Sequence, residues 1–154
     1  MSGHGPSLAP VAIVTGTSRG IGLSCLEELK SRGWLVAGFD LKPSPFADLS
    51  LLIDVSDYSA VSEAVLEVVK ILGRPRGVVS AAGFVQEFTL EELNRELIAR
   101  MIAVHLGGLI NLTRATVPFM SDTGGSIVAM ASELALVGGD NASHYVAAKG
   151  AILG

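Results

Sequence analysis

Tyr145 and Lys149 stand four residues apart near the end of the chain, in the stretch HYVAAKG. On a helix that spacing puts a phenol and an ammonium on one face, within reach of each other. A phenol with its ordinary pKa of about 10 is a poor base at neutral pH, and a nearby cation stabilises the phenolate. Such a pair could exchange a proton with a substrate oxygen. Taken alone, Tyr-x-x-x-Lys is common by chance, and a tyrosine packed beside a surface lysine is the simpler reading.

A second group of residues has chemistry of another kind. Thr15-Gly16-Thr17-Ser18-Arg19-Gly20-Ile21-Gly22 follows the apolar run VAIVT. Glycines between a strand and a helix N-terminus let the backbone turn sharply and approach a diphosphate, whose charge is favoured by the free N–H groups and dipole of the helix start. The spacing is G-x-x-x-G-x-G rather than G-x-G-x-x-G. Asp40, eighteen residues past Gly22, closes the next apolar run. There a carboxylate can accept both hydroxyls of an adenosine ribose and disfavours a 2′-phosphate, which points to NAD over NADP. Arg19 and Lys42 are nearby cations that act the other way.

These groups need elements to position them. Val11 to Gly16, Trp34 to Asp40, Leu49 to Val55, Val78 to Ala82 and Gly125 to Ala131 read as five strands. Between them, Ile21, Leu23, Cys25, Leu26 and Leu29 form the apolar face of a first helix closed near Gly33. Val61, Ala64, Val65, Val68 and Leu72 form that of a second, stopping near Gly73. A long helical stretch from Leu90 to about Met120 carries Leu93, Leu97, Met101, Val104 and Gly108 as its stripe, with Gly107, Gly108 and Pro118 as places to bend or end. Another helix starts at Ser143. Strands alternating with helices predict right-handed βαβ units and one doubly wound parallel α/β sheet, Rossmann-like, over residues 10–154, with residues 1–9 as a loose tail.

Composition agrees with that class. The 154 residues are 49% hydrophobic and 17% charged, with 18 glycines, as expected of buried strands and tight turns. A net charge of −4 with scattered lysines and arginines gives no footprint for nucleic acid or anionic lipid. The longest apolar stretches read as too short or too glycine-broken to span a bilayer. The single cysteine, Cys25, reads as a small buried hydrophobe. The opening MSGHGPSLAP lacks a signal-peptide pattern, so a cytoplasmic enzyme is expected.

Taken together, the T-G-x-x-x-G-I-G loop at Thr15 to Gly22, Asp54-Val55, the S-A-A-G segment at Ser80 to Gly83, Ser132, and Tyr145 with Lys149 resemble the short-chain dehydrogenase/reductase family in order and spacing. The resemblance implies an oxidoreductase moving hydride between NAD(P) and a small alcohol or carbonyl substrate, with no metal. It implies that Asp54 bonds the adenine amino group, Val55 lines its pocket, and Ser80, Ala81, Ala82 and Gly83 pass beneath the adenosine side. Tyr145 would be the proton-exchanging group and Lys149 its cation and the holder of the nicotinamide ribose. Ser132, thirteen residues before the tyrosine, would polarise the substrate oxygen.

The sequence departs from the family at Ser80 and Ala81, where two asparagines are usual, and at His105, where an asparagine usually anchors a proton-relaying water. Asn111 does not match that position. His105 either holds the same water or is satisfied within the helix packing. The rival reading is a catalytically silent nucleotide-binding or interaction protein on the same fold. The resemblance further implies a homodimer or homotetramer, and a chain continuing by roughly a hundred residues to complete the six-strand sheet of this fold type. The five strands present are expected in the order 3-2-1-4-5, with strand five an uncovered edge.

Overall fold

A computed structural model describes residues 9–122 and 124–154; the expected loose tail, apart from Ala9, lies outside the described residues. Five strands, β1 (Val11–Thr15), β2 (Leu35–Asp40), β3 (Leu49–Leu52), β4 (Pro75–Ser80) and β5 (Ser126–Ala129), form one parallel sheet in the order β3-β2-β1-β4-β5. This is the expected order. The chain starts in the middle of the sheet and winds first to one side, then to the other. The carboxyl ends of β1 and β4 diverge where the winding direction changes, and such a point opens a crevice for a ligand.

The sheet is central because its inner strands have no polar face to show water. Every residue of β1 is buried, and β2 is buried from Val36 to Phe39. Two layers cover it. On one face Val61, Ala64, Val65 and Val68 of α2 (Tyr58–Ile71) join Leu112, Ala115 and Met120 of α4 (Gly108–Met120) against Ile13, Phe39 and Val78. On the other face Leu26 of α1 (Gly20–Ser31) packs with Val14 and Val36. Each such fully buried Val, Leu, Ile or Phe contributes about 1.5–3 kcal/mol relative to exposure. Cys25 is half-buried at the margin of the second cluster, less enclosed than its apolar spacing implies.

The long helix differs from the sequence expectation at its start and in its middle. It begins at Arg95, not Leu90, because Asn94 supplies an N-cap: its side chain accepts a hydrogen bond from Leu97 N at 2.9 Å. It runs through α3 (Arg95–Ile102), a wide π turn (Ala103–Gly107) and α4 without ending at the glycine pair or at Pro118. The extra residue of the π turn rotates the stripe, so His105 is buried while Val104 is only half-buried. The continuous Arg95–Met120 helix, 26 residues whose most apolar 18-residue stretch has a mean hydropathy of 1.2, is long and apolar enough to cross a membrane by length and composition. By length and composition this one helix departs from the expectation that the longest apolar stretches are too short or too glycine-broken to span a bilayer. Here its Met101, Leu112, Ala115 and Met120 are buried in the protein.

The short helix α5 (Leu134–Val137) was not anticipated, whereas α6 (Ser143–Leu153) starts where expected. At the far side β5 is the sheet's edge, with Ile127 and Val128 exposed.

Candidate active site

A cleft of about 890 Å3 opens over the carboxyl ends of β1, β2 and β4. Its floor is the turn after β1, which comes very near two other backbones. A Cβ on Gly16 would stand 2.9 Å from Ala82 Cα, and one on Gly22 only 2.2 Å from the Gly16 carbonyl oxygen. These glycines allow α1 to begin directly against the turn. A helix start leaves its first N–H groups without intrahelical acceptors and pointing outward. Gly16, Ser18, Arg19, Gly20, Ile21 and Gly22 all line the cleft. Thr17 does not: it is fully buried and turned inward beneath the loop.

Asp40 stands at the end of β2 on the cleft wall. One carboxylate oxygen accepts from Ser18 N at 2.9 Å and the other from Lys42 N at 3.0 Å. A carboxylate has about four lone-pair sites, so acceptor capacity remains for hydroxyl groups. Arg19 and Lys42 line the same wall. Further along, Asp54 accepts from Ser56 Oγ at 2.7 Å and Ser56 N at 2.9 Å. Those bonds, helped by the charge of Arg100, hold its carboxyl below the usual carboxylate range.

The opposite wall is the segment after β4. The Thr15 hydroxyl accepts from Ala81 N at 3.0 Å and Ala82 N at 2.9 Å, tying this segment to β1. Ala81, Ala82 and Gly83 line the cleft, whereas Ser80 stays within the sheet, its carbonyl accepting from Met130 N. Gly83 is required by its neighbour, since a Cβ there would lie 2.3 Å from His105 Cε1.

At the inner end Tyr145 and Lys149 project from α6 into this cleft. Lys149 is buried; its Nζ donates to the Met130 carbonyl at 2.5 Å and lies 5.9 Å from the centre of the Tyr145 ring. Burial pushes its pKa down from the ordinary lysine value. His105 meets Tyr145 edge-on at 5.4 Å. Its Nε2 is 2.9 Å from Phe84 O and 3.2 Å from Phe84 N, so either neutral tautomer is satisfied there. Its Nδ1 is buried without a partner among the described residues. Burial first, and the Lys149 charge second, push the His105 pKa down and favour the neutral ring.

Ser132 is the one expected reacting group outside the cleft lining, which includes its neighbours Met130 and Ala131. Its hydroxyl accepts from Leu134 N at 3.2 Å at the start of α5. Two contributors were missed from the sequence. Asn111 donates to Val55 O at 2.9 Å and Ser56 O at 3.2 Å, holding the Asp54-Val55 loop onto α4. An asparagine within an otherwise apolar helix face was the available signal. The Thr15 hydroxyl bridge had none beyond the motif itself.

The donor set and shape fit a dinucleotide: a helix start at a glycine turn, a carboxylate with spare acceptors eighteen residues on, and glycines where side chains would fill the space. Comparison with known proteins points the same way. Residues 10–154 match the family model described as short chain dehydrogenase. The chain is 32% identical over 158 residues to the 2-dehydro-3-deoxy-L-rhamnonate dehydrogenase (NAD(+)) of Sphingomonas sp. (strain SKA58), covering 93% of this chain and 61% of that protein. It is 31% identical over 144 residues to the 2,3-dihydro-2,3-dihydroxybenzoate dehydrogenase of Escherichia coli (strain K12), covering 90% and 57% respectively. The ligand-free aldohexose dehydrogenase of Thermoplasma acidophilum superposes with a TM-score of 0.89 at 27% identity, over 94% of this chain and 58% of that one. The chain thus spans about three fifths of the length of these relatives. From the parallel sheet, the glycine turn and the Tyr145–Lys149 cleft to the family model matched from residue 10 onward, every comparison agrees: the chain belongs to the short chain dehydrogenase family.

Proposed function

We propose that this chain belongs to an oxidoreductase that moves hydride between NAD and an alcohol or carbonyl substrate, using Ser132, Tyr145 and Lys149. The observation that carries the reading is the meeting of Tyr145 and the buried Lys149 in the same cleft as the glycine turn and Asp40. Gly16 to Gly22 would hold the diphosphate, Asp40 the adenosine ribose, and Asp54 with Val55 the adenine. Ala81 to Gly83 would lie beneath, and Lys149 would hold the second ribose. A nicotinamide held there would supply the hydride-transfer chemistry. Tyr145 takes or gives the proton at its phenol oxygen, and the Lys149 ammonium steadies the phenolate. Ser132 accepts from Leu134 N, so its own O–H is free to donate to a substrate oxygen. His105 would hold a water at Nδ1 and connect Tyr145 and Lys149 to solvent.

Asp40 on the cleft wall favours NAD over NADP, and the NAD(+) in the name of the Sphingomonas relative supports that preference. The exposed Ile110 and Val117 on α4 support a homodimer or homotetramer pairing through the long helix and α6. The free Cys25 goes with a cytoplasmic location. A silent nucleotide-binding protein is the second reading, favoured by the Ser132 side chain standing outside the cleft lining. Mixing the protein with NAD and a panel of secondary alcohols, then following NADH absorbance, separates the two. Alcohol-dependent NADH formation supports the enzyme; tight NADH binding with no turnover on any alcohol or ketone supports the silent reading.

A further inference from the structure

Thr17 and Ser44 are both buried, and their hydroxyls hydrogen-bond to each other. A buried hydroxyl needs a partner. These two satisfy one another where the glycine turn meets the segment that follows β2. Beneath them lies Gly38 of β2, where a Cβ would stand 2.7 Å from Thr17 Oγ1 and 3.0 Å from the Ser44 side chain. A glycine inside a buried strand weakens it, and commonly marks a close approach. Here the missing side chain makes room for the hydroxyl pair.

The two joined segments are also the two that hold Asp40, through Ser18 N on one side and Lys42 N on the other. Ser44 is anchored in turn, its N–H donating to Ser50 Oγ at 2.9 Å and its carbonyl accepting from Ala47 N at 3.2 Å. Arg19 and Lys42, the cations able to meet a 2′-phosphate, sit one on each segment, exposed at the cleft.

We propose that the Thr17–Ser44 hydroxyl pair is a latch that fixes the glycine turn against the 41–48 segment, making both residues positioning residues for the preference of NAD over NADP at Asp40. The inference rests on the cofactor reading above. With the latch closed, Asp40 is held by both amides, aligned for ribose hydroxyls and set between the two cations. With it broken, the segment carrying Lys42 is freed, the carboxylate loses its alignment, and a cation can reach a phosphate.

The test is fluorescence titration with NADH and NADPH of the wild type, Ser44→Ala, Thr17→Val and Thr17→Ser. Loss of one hydrogen bond is expected to weaken NADH binding about threefold to tenfold. NADPH should weaken less or not at all, so the ratio of affinities contracts, while Thr17→Ser keeps the wild-type ratio. Gly38→Ala pushes the pair apart with both hydroxyls present and should contract the ratio in the same way, which keeps the test open if Thr17→Val fails to fold. An unchanged ratio in folded Ser44→Ala and Gly38→Ala, or equal weakening of both dinucleotides, overturns the latch. Wild-type protein binding neither dinucleotide overturns the cofactor reading, and the latch falls with it.

Discussion

Lys149 carries an ammonium that is almost wholly enclosed, with the Met130 carbonyl as its hydrogen-bond acceptor. Its folded pKa is lowered by burial, so the unfolded chain keeps the proton up to about pH 10.5 while the folded chain releases it earlier. The penalty on folding is therefore full below the folded pKa and fades as pH rises toward the unfolded value. An apolar side chain of similar length removes the cost of enclosing that charge. Lys149→Met is expected to melt at or above the wild-type temperature by calorimetry yet lose turnover; retained turnover would show that the ammonium is dispensable. His105 follows the same sign at lower pH. Its pKa lies below 6.5, so as pH falls past that value the unfolded chain gains a proton that the folded chain refuses, and stability declines. The melting temperature should drop between pH 7.5 and 5.5, and the drop should be smaller in His105→Asn. His105→Ala should lower turnover more than stability, and an unchanged rate would remove the relay role.

At the scale of elements, the site depends on three backbones meeting closely. Gly22→Ala places a methyl 2.2 Å from the Gly16 carbonyl, an overpacking that typically costs about 1–3 kcal/mol. Urea unfolding should register that loss, along with weaker NADH binding. Asn111→Ala frees two carbonyls of the Asp54 loop and should cost about 1–2 kcal/mol in the same measurement. How far these elements were legible follows from their physics. The strands and α2 were readable because apolar runs and a helical stripe face a core, whereas the strand order came with the family resemblance. The glycine turn and Asp40 were readable because their roles fix residue type and spacing. The π turn was not, since an extra residue in a helix leaves no compositional mark and shifts His105 from the edge of the stripe into its centre. Thr17 sits in the same motif, yet its buried hydroxyl turns to Ser44 and not into the cleft, a direction its place in the motif does not reveal.

At the scale of the molecule, β3 and β5 are the outer strands of the sheet among the described residues, and Ile127 and Val128 of β5 are exposed. An exposed apolar edge strand is a template for pairing with another chain. If subunits pair through the long helix, Val117→Lys on its exposed face should reduce concentration-dependent self-association in sedimentation velocity; unaltered association would place the contact elsewhere, such as this β5 edge. The cleft runs along the carboxyl ends of the strands, reaching Met130 and Ala131 just beyond β5, and the glycine turn shares it with Tyr145 and Lys149. The central claim is that these two halves work together, and Tyr145→Phe tests it most directly, because it removes one oxygen from the chemical half and leaves the glycine turn untouched. With NAD and an alcohol that the wild type oxidises, the account expects Tyr145→Phe to bind NADH as the wild type does and to form NADH at least about a hundredfold more slowly. NADH formation at the wild-type rate would contradict it.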